Sequence, residues 1–333
     1  MNKELTLPKN EKARRKRAAV MSVMSDAVPP VACLALGAAY VVCALAAGYD
    51  LLIGLEVVVS NATLIALVAT GATFIFTSGS FDLSLGSNML VSALAAGLIG
   101  RLTGSLAVIP VIAVASAVSL SLTNSVLASF FNLPVFIMTV VMMNVYSSAA
   151  TLLITAFGEN ASVSVPMNLV SPLNTTLFRV ILLILFEAFC CFVFYFTKLG
   201  RKQKFLGGNR KCAYLSGISA KGLTILSFGL AGIGIGLASF SMIVETPTLS
   251  SSSGASVGMN MLIALVFGGM RMSGGPGSKM YAALIGSFSM AFLDSLMNIY
   301  VTGSWYLQIV KGVAFVTVVF MFSVAKRERL LAR

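Results

Sequence analysis

"GSFDLSLGSNMLVSALAAGLIG", residues 79–100, opens with an aspartate among serines and glycines and then runs without a charge through small and apolar residues. A hydrocarbon layer about 30 Å thick takes roughly 20 apolar residues as a helix, so the part after Asp82 reads as a membrane crossing. Working outward, the same reading applies near 27–48, 51–77, 83–101, 105–129, 133–157, 176–197, 224–244, 257–270, 279–298 and 304–325. The eighth stretch is short, and the second is long enough to tilt or break. Period-two alternation does not dominate, which favours helices over a barrel as the way to satisfy backbone hydrogen bonds in lipid. The fold class is all-α: a polytopic membrane protein of about ten transmembrane helices.

Composition supports this. Of 333 residues 58% are hydrophobic and 10% charged, against roughly 25% charged in an ordinary soluble domain. Mean hydropathy is +0.95.

Charge placement fixes an orientation. Lys3, Lys9, Lys12, Arg14, Arg15, Lys16 and Arg17 precede the first span, and Lys198, Arg201, Lys202, Lys204, Arg210, Lys211 and Lys221 crowd one loop. With Arg271, Lys279 and the four basic residues after 325, a ten-span count with both termini in the cytoplasm puts 20 of the 23 on one side. Only Arg101, Arg179 and Lys311 fall elsewhere. The net charge of +12 is thus topology rather than a nucleic-acid surface. The expected organisation is a basic cytoplasmic segment 1–26, a transmembrane domain 27–325 with a basic loop 198–223, and a cytoplasmic tail 326–333. The first apolar run reads as a retained span rather than a cleaved leader, because it is long and another span follows at once. The polar segments 158–175 and 245–256, which lack basic residues, are expected outside.

Catalytic chemistry finds little support. There is no histidine, no zinc spacing and no phosphate-cradling Gly-x-x-x-x-Gly-Lys-Ser/Thr loop. Cys33, Cys43, Cys190 and Cys191 lie in spans and Cys212 in the basic loop, which is no disulfide framework. No catalytic residue, metal or cofactor is expected, and any ATP used is bound by another chain.

Four features bear on function. Asp82 precedes the third span, where its carboxylate is expected to accept the first N–H groups of that helix as an architectural cap. A weak echo joins "DLSLGSNMLVSALAAGLI" from Asp82 to "RMSGGPGSKMYAALIGSF" from Arg271, consistent with paired broken helices of a transport pathway or with the general likeness of small-residue spans. Glu56, Glu187, Asp294 and Lys311 sit at membrane depth, where ionisable groups are costly. They favour an alternative, an ion-coupled secondary carrier, but they are scattered, and an end-of-span location would make Glu56, Asp294 and Lys311 interfacial.

"KFLGGNRKCAYLSGIS", 204–219, is the most informative loop. Gly207 and Gly208 are expected to break the chain, Asn209 to cap a helix from Arg210 to Ser216, and Gly217 to end it. With Ala213 and Gly217 on its surface, this helix suits a groove on another protein.

Together with "SGSFDLSLGS" at 78–87, "LPVFIMTVVMMNVYSSAATLL" at 133–153 and "LIALVFGGMRMSGGPGS" at 262–278, this loop resembles, in order, the ribose-type permeases of ATP-binding-cassette importers. The resemblance covers about residues 50–325. It implies a bacterial cytoplasmic-membrane translocation subunit that pairs with a like or sister permease, two cytoplasmic ATPase sites and an extracytoplasmic substrate-binding protein. It makes Gly207, Gly208, Asn209, Arg210, Ala213 and Gly217 the coupling segment. It makes Asp82, Ser84, Gly86, Gly268, Gly269, Ser273, Gly274 and Gly275 structural turns of the pathway. The chain departs from the family in Asn260, where a carboxylate is common, and in Arg210, Lys211 and Tyr214, where acidic and small residues are favoured. The same analogy points to Phe136, Thr139 and Asn144 for substrate contact, with Asn124 and Asn260 as further intramembrane amides. Aromatics and amides suit a neutral polyhydroxylated ligand: a monosaccharide first, a nucleoside second.

Overall fold

The computed structural model describes the backbone of residues 9–254, 256–271, 274–300, 306, 308–313 and 315–317, and side chains within that set from residue 27 onward. The helices are α1 (Lys9–Ala46), α2 (Leu51–Thr77), α3 (Leu85–Thr103), α4 (Val108–Phe130), α5 (Val135–Phe157), α6 (Met167–Val170), α7 (Thr176–Phe196), α8 (Lys198–Gly208), α9 (Arg210–Leu215), α10 (Ala220–Glu245), α11 (Val257–Phe267) and α12 (Tyr281–Tyr300). Eight of them are long and apolar enough to cross a membrane, α1 through its part Ala27–Ala46, and α11 is a shorter apolar helix. The tenth expected span lies largely outside the described residues, of which 308–313 and 315–317 are helical.

Helix starts follow local chemistry. Asp50, Thr175, Thr197 and Ser219 hold non-helical backbone, and each side chain accepts an N–H from the first turn of α2, α7, α8 and α10. Stops fall at left-handed glycines such as Gly104 after α3 (φ 62°), a conformation open to glycine at little cost.

α10 is the central helix, and its glycines explain how it packs. A Cβ at Gly232 or Gly236 would run into the Val118 or Val114 backbone of α4, and one at Gly71 of α2 would lie 3.0 Å from the Ala231 Cα. In lipid, helices gain little from apolar contact alone, so small residues that let backbones approach drive association. α12 meets α11 the same way, with Gly286 against the Ala264 carbonyl.

One end of the bundle is closed by a two-stranded ribbon. β1 (Ser162–Ser164) pairs antiparallel with β2 (Thr248–Ser250), joining the two loops expected outside. Val163, Val165 and Leu249 turn inward from it, and Val165 lies against Gly97 of α3. The start of α2 joins the start of α7 through Thr176 Oγ1 donating to Glu56 Oε1 at 2.7 Å. This gives Glu56 the end-of-helix position the sequence implied. At the opposite end lie α8, α9 and the turns that follow α2 and α11.

All three basic residues that break the charge pattern have partners. Arg101 faces Glu159 at 3.8 Å, Arg179 donates to Asn174 Oδ1, and Lys311 pairs with Asp294.

Candidate functional site

α2 and α11 end alike. Gly79 and Ser80 donate backbone N–H groups to Phe76 O and Ile75 O, and Gly269 and Met270 donate to Val266 O and Leu265 O in the same pattern. Gly79 (φ 75°) and Gly269 (φ 84°) supply the left-handed residue each closure needs. The two turns then differ. α3 begins at Leu85 soon after the first, whereas the second runs on to Tyr281 with two more left-handed glycines, Gly274 and Gly275. Gly268 serves another need: a Cβ there would strike the Ala282 carbonyl of α12. Ser273 lies outside the described residues.

The first turn is fixed by a buried polar chain. One oxygen of Asp82 accepts both the backbone N–H and the hydroxyl of Ser84, each at 2.7 Å. Asp82 therefore braces the residue preceding α3 rather than capping the first N–H groups within it, because Ser84 itself is the N-cap. Ser84 Oγ accepts Asn124 Nδ2 at 2.7 Å, and Asn124 Oδ1 accepts the Tyr146 hydroxyl at 2.6 Å. Beside this chain, Thr139 Oγ1 accepts the Leu83 N–H at 3.4 Å. One turn into α3, Asn88 donates to Ser121 and accepts from Ser92. Asp82, Ser84, Asn124 and Thr139 are all essentially inaccessible to solvent.

Four expected residues, Asp82, Ser84, Thr139 and Asn124, thus converge where α3, α4 and α5 meet. Phe136 and Asn144 do not join them: both are exposed on α5, and the Asn144 amide bonds back to Val140 O at 3.0 Å. Tyr146 and Asn88 belong to the cluster and were missed. Tyr146 lies seven residues past Thr139, about two turns along one face, which is the signal that could have found it.

Gly86 places the cluster beside α11. A Cβ there would lie 2.9 Å from both Gly254 O and Gly258 N, so the N-termini of α3 and α11 abut. On the first turn of α11, Asn260 Oδ1 accepts Lys311 Nζ at 3.1 Å, and that ammonium also lies 2.8 Å from Asp294 Oδ1. Asp294 and Lys311 thus form a pair that the protein largely buries. Glu187 of α7 accepts the Thr70 hydroxyl of α2 at 2.7 Å.

The basic loop reaches the other side of both turns. Asn209 caps α9 through Cys212 N–H at 3.1 Å, and Gly217 (φ 72°) ends it. Gly207 and Gly208 do not break the chain: α8 runs through both, and the break is at Asn209, whose extended backbone starts α9. Gly207 is small because the Thr77 carbonyl and the Gly275 N–H, themselves bonded at 2.9 Å, press against it, and Gly208 faces Pro276. Ala213, expected on the outer surface, is wholly buried with Leu206 and Leu223. The alanine turns inward because α9 must bury one face against α8 and α10. Gly217, Lys211, Tyr214 and Leu215 are exposed, the last two by 79% and 76%.

Comparison with known proteins agrees with this architecture. The ribose import permease protein RbsC of Escherichia coli K12 is 31% identical over 265 residues, covering 76% of this chain and 80% of that protein. Its Bacillus subtilis 168 counterpart is 28% identical over 275 residues, 77% and 80% of the two chains. The xylose transport system permease protein XylH of Escherichia coli K12 is 32% identical over a shorter stretch, 40% of this chain and 33% of that protein. No solved structure matches. The family model described as branched-chain amino acid transport system / permease component matches residues 54–319, most of the chain, and the protein belongs to that family.

Proposed function

We propose that this chain is the membrane-spanning subunit of a binding-protein-dependent importer of a monosaccharide, driven by ATP hydrolysed on a separate cytoplasmic chain. The observation that carries the reading is the meeting of α9, with Tyr214 and Leu215 outward, and both interrupted-helix turns around Thr77, Gly207 and Gly275. A contact made at α9 is thereby one step from the turns that position α3 and α12. The relatives named for ribose and xylose support a simple sugar as cargo.

In this reading both termini are cytoplasmic, the β1–β2 end faces the substrate-binding protein, and a second permease chain completes the pathway. Asn144 supports a path along α5. Asn144, Ser147, Ser148, Thr151 and Thr155 are all exposed on this span, polar groups that are costly against lipid and that a water-lined passage between two chains would relieve. Phe136 on the exposed side of α5 would give a sugar ring its apolar surface, while Thr139, Asn124 and the Asp82 turn hold α5 and α3 in place.

The test is uptake into vesicles carrying this chain, its ATPase partner and the binding protein, with labelled ribose and xylose. Uptake that requires both internal ATP and the binding protein is expected. Uptake driven by an ion gradient with neither would overturn the proposal in favour of a secondary carrier.

A further inference from the structure

Arg210 is the first residue of α9 and is itself exposed, yet its guanidinium reaches the turn that follows α2. Nη2 donates to the Gly79 carbonyl and to Ser80 Oγ, each at 3.3 Å. Gly79 closes α2, and Ser80, itself buried, stands two residues before Asp82. Among the described residues, Arg210 is the side chain that hydrogen-bonds the basic loop to this turn. The neighbouring link, Gly207 against Thr77 O, is backbone packing that a side chain would abolish.

We propose that Arg210 is a positioning residue that transmits displacement of α9 to the 78–84 turn, rather than a contact for the ATPase. The inference rests on the reading of α9 as the ATPase docking helix and adds what its inner side does. The chain of contacts is continuous: α9, Arg210, Gly79 and Ser80, Asp82, Ser84, Asn124, Tyr146. Both hydrogen bonds are at the long end of the normal range, so a small inward movement of α9 tightens them and an outward one releases them. Both bonds come from one nitrogen, Nη2, whose two N–H groups serve the carbonyl and the hydroxyl together. Packing transmits compression at Gly207, whereas Arg210 supplies the pull.

The experiment uses the complete assembly in vesicles and measures sugar taken up per ATP hydrolysed. Arg210→Ala is expected to keep its ATPase bound and its thermal unfolding unchanged. Its transport per ATP should fall roughly tenfold, the order expected when hydrogen bonds to a charged donor are lost. Ser80→Ala should show a smaller fall, and the double variant should be no worse than Arg210→Ala alone, because both remove one link. Additive losses would overturn the proposal, as would an unchanged ratio in Arg210→Ala. Loss of the ATPase from the Arg210→Ala assembly would make Arg210 a docking contact and overturn it too. If wild-type vesicles show no ATP-dependent uptake, it is the proposed function that fails; if they do and Arg210→Ala matches them, it is this inference.

Discussion

Lys311 Nζ lies 2.8 Å from Asp294 Oδ1 and 3.1 Å from Asn260 Oδ1, so one buried ammonium joins α11, α12 and the helical segment that follows. The pair holds the first turn of α11, the turn that abuts α3 at Gly86 and Gly258. A buried charge is costly when unpaired, so Asp294→Asn is expected to destabilise by about 3–5 kcal/mol, read as a drop in the detergent melting temperature. Asn260→Asp added to Asp294→Asn returns a carboxylate to the same ammonium and should recover most of the loss. Recovery by an unrelated carboxylate elsewhere on α12, and none by the double variant, would contradict the three-way contact.

Orientation is testable at the ribbon. Because β1 pairs with β2, the loops at Ser171 and Ser252 should lie on one side, outside, with Lys204 on the other. Reporter fusions at the three positions check this; a cytoplasmic signal at Ser171 would invert the assignment.

Docking and loop integrity separate at α9. Tyr214→Ala and Leu215→Ala remove exposed apolar side chains and are expected to weaken ATPase retention while leaving the melting temperature unchanged. Ala213→Trp should instead lower the melting temperature, because the alanine fills a closed site between Leu206 and Leu223 and overpacking there costs about 1–3 kcal/mol.

In the polar cluster, Tyr146→Phe leaves Asn124 Oδ1 without its donor. Stranding a buried acceptor costs about 1–3 kcal/mol, and the variant should unfold earlier by that margin while still inserting. Asn144→Ala, on the exposed side of α5, should be neutral in melting yet reduce sugar uptake, which distinguishes the pathway face from the packing face.

The spans were legible because roughly 20 apolar residues in a row admit few interpretations. The left-handed glycines and the Asn209 cap were legible for a similar reason, since few residues take those backbone positions. Which face of α5 packs was not: a polar residue in a span can mark either a packed interface or a water-lined side, so Thr139 and Asn144 looked equivalent although one is buried and the other exposed. Ala213 misled because a small residue fits both a docking surface and a tight interior, and Gly207 because a glycine marks either a chain break or a close approach of backbones. The Asp294–Lys311 pair was hidden by its sequence separation, and the Thr77 carbonyl, being backbone, leaves no mark in the sequence at all.

The ribbon has a consequence for biogenesis. Its strands, Ser162–Ser164 and Thr248–Ser250, flank α7 to α10, so β1 has no partner strand until α10 has been made and inserted, and in the proposed orientation it waits on the outer side. Val163 and Val165 lack part of their apolar cover until then, and under the proposed function the surface offered to a substrate-binding protein would be completed late in insertion. A chain arrested before α10 emerges should therefore be open to externally added protease near Ser162, and closed to it once synthesis proceeds past Ser250.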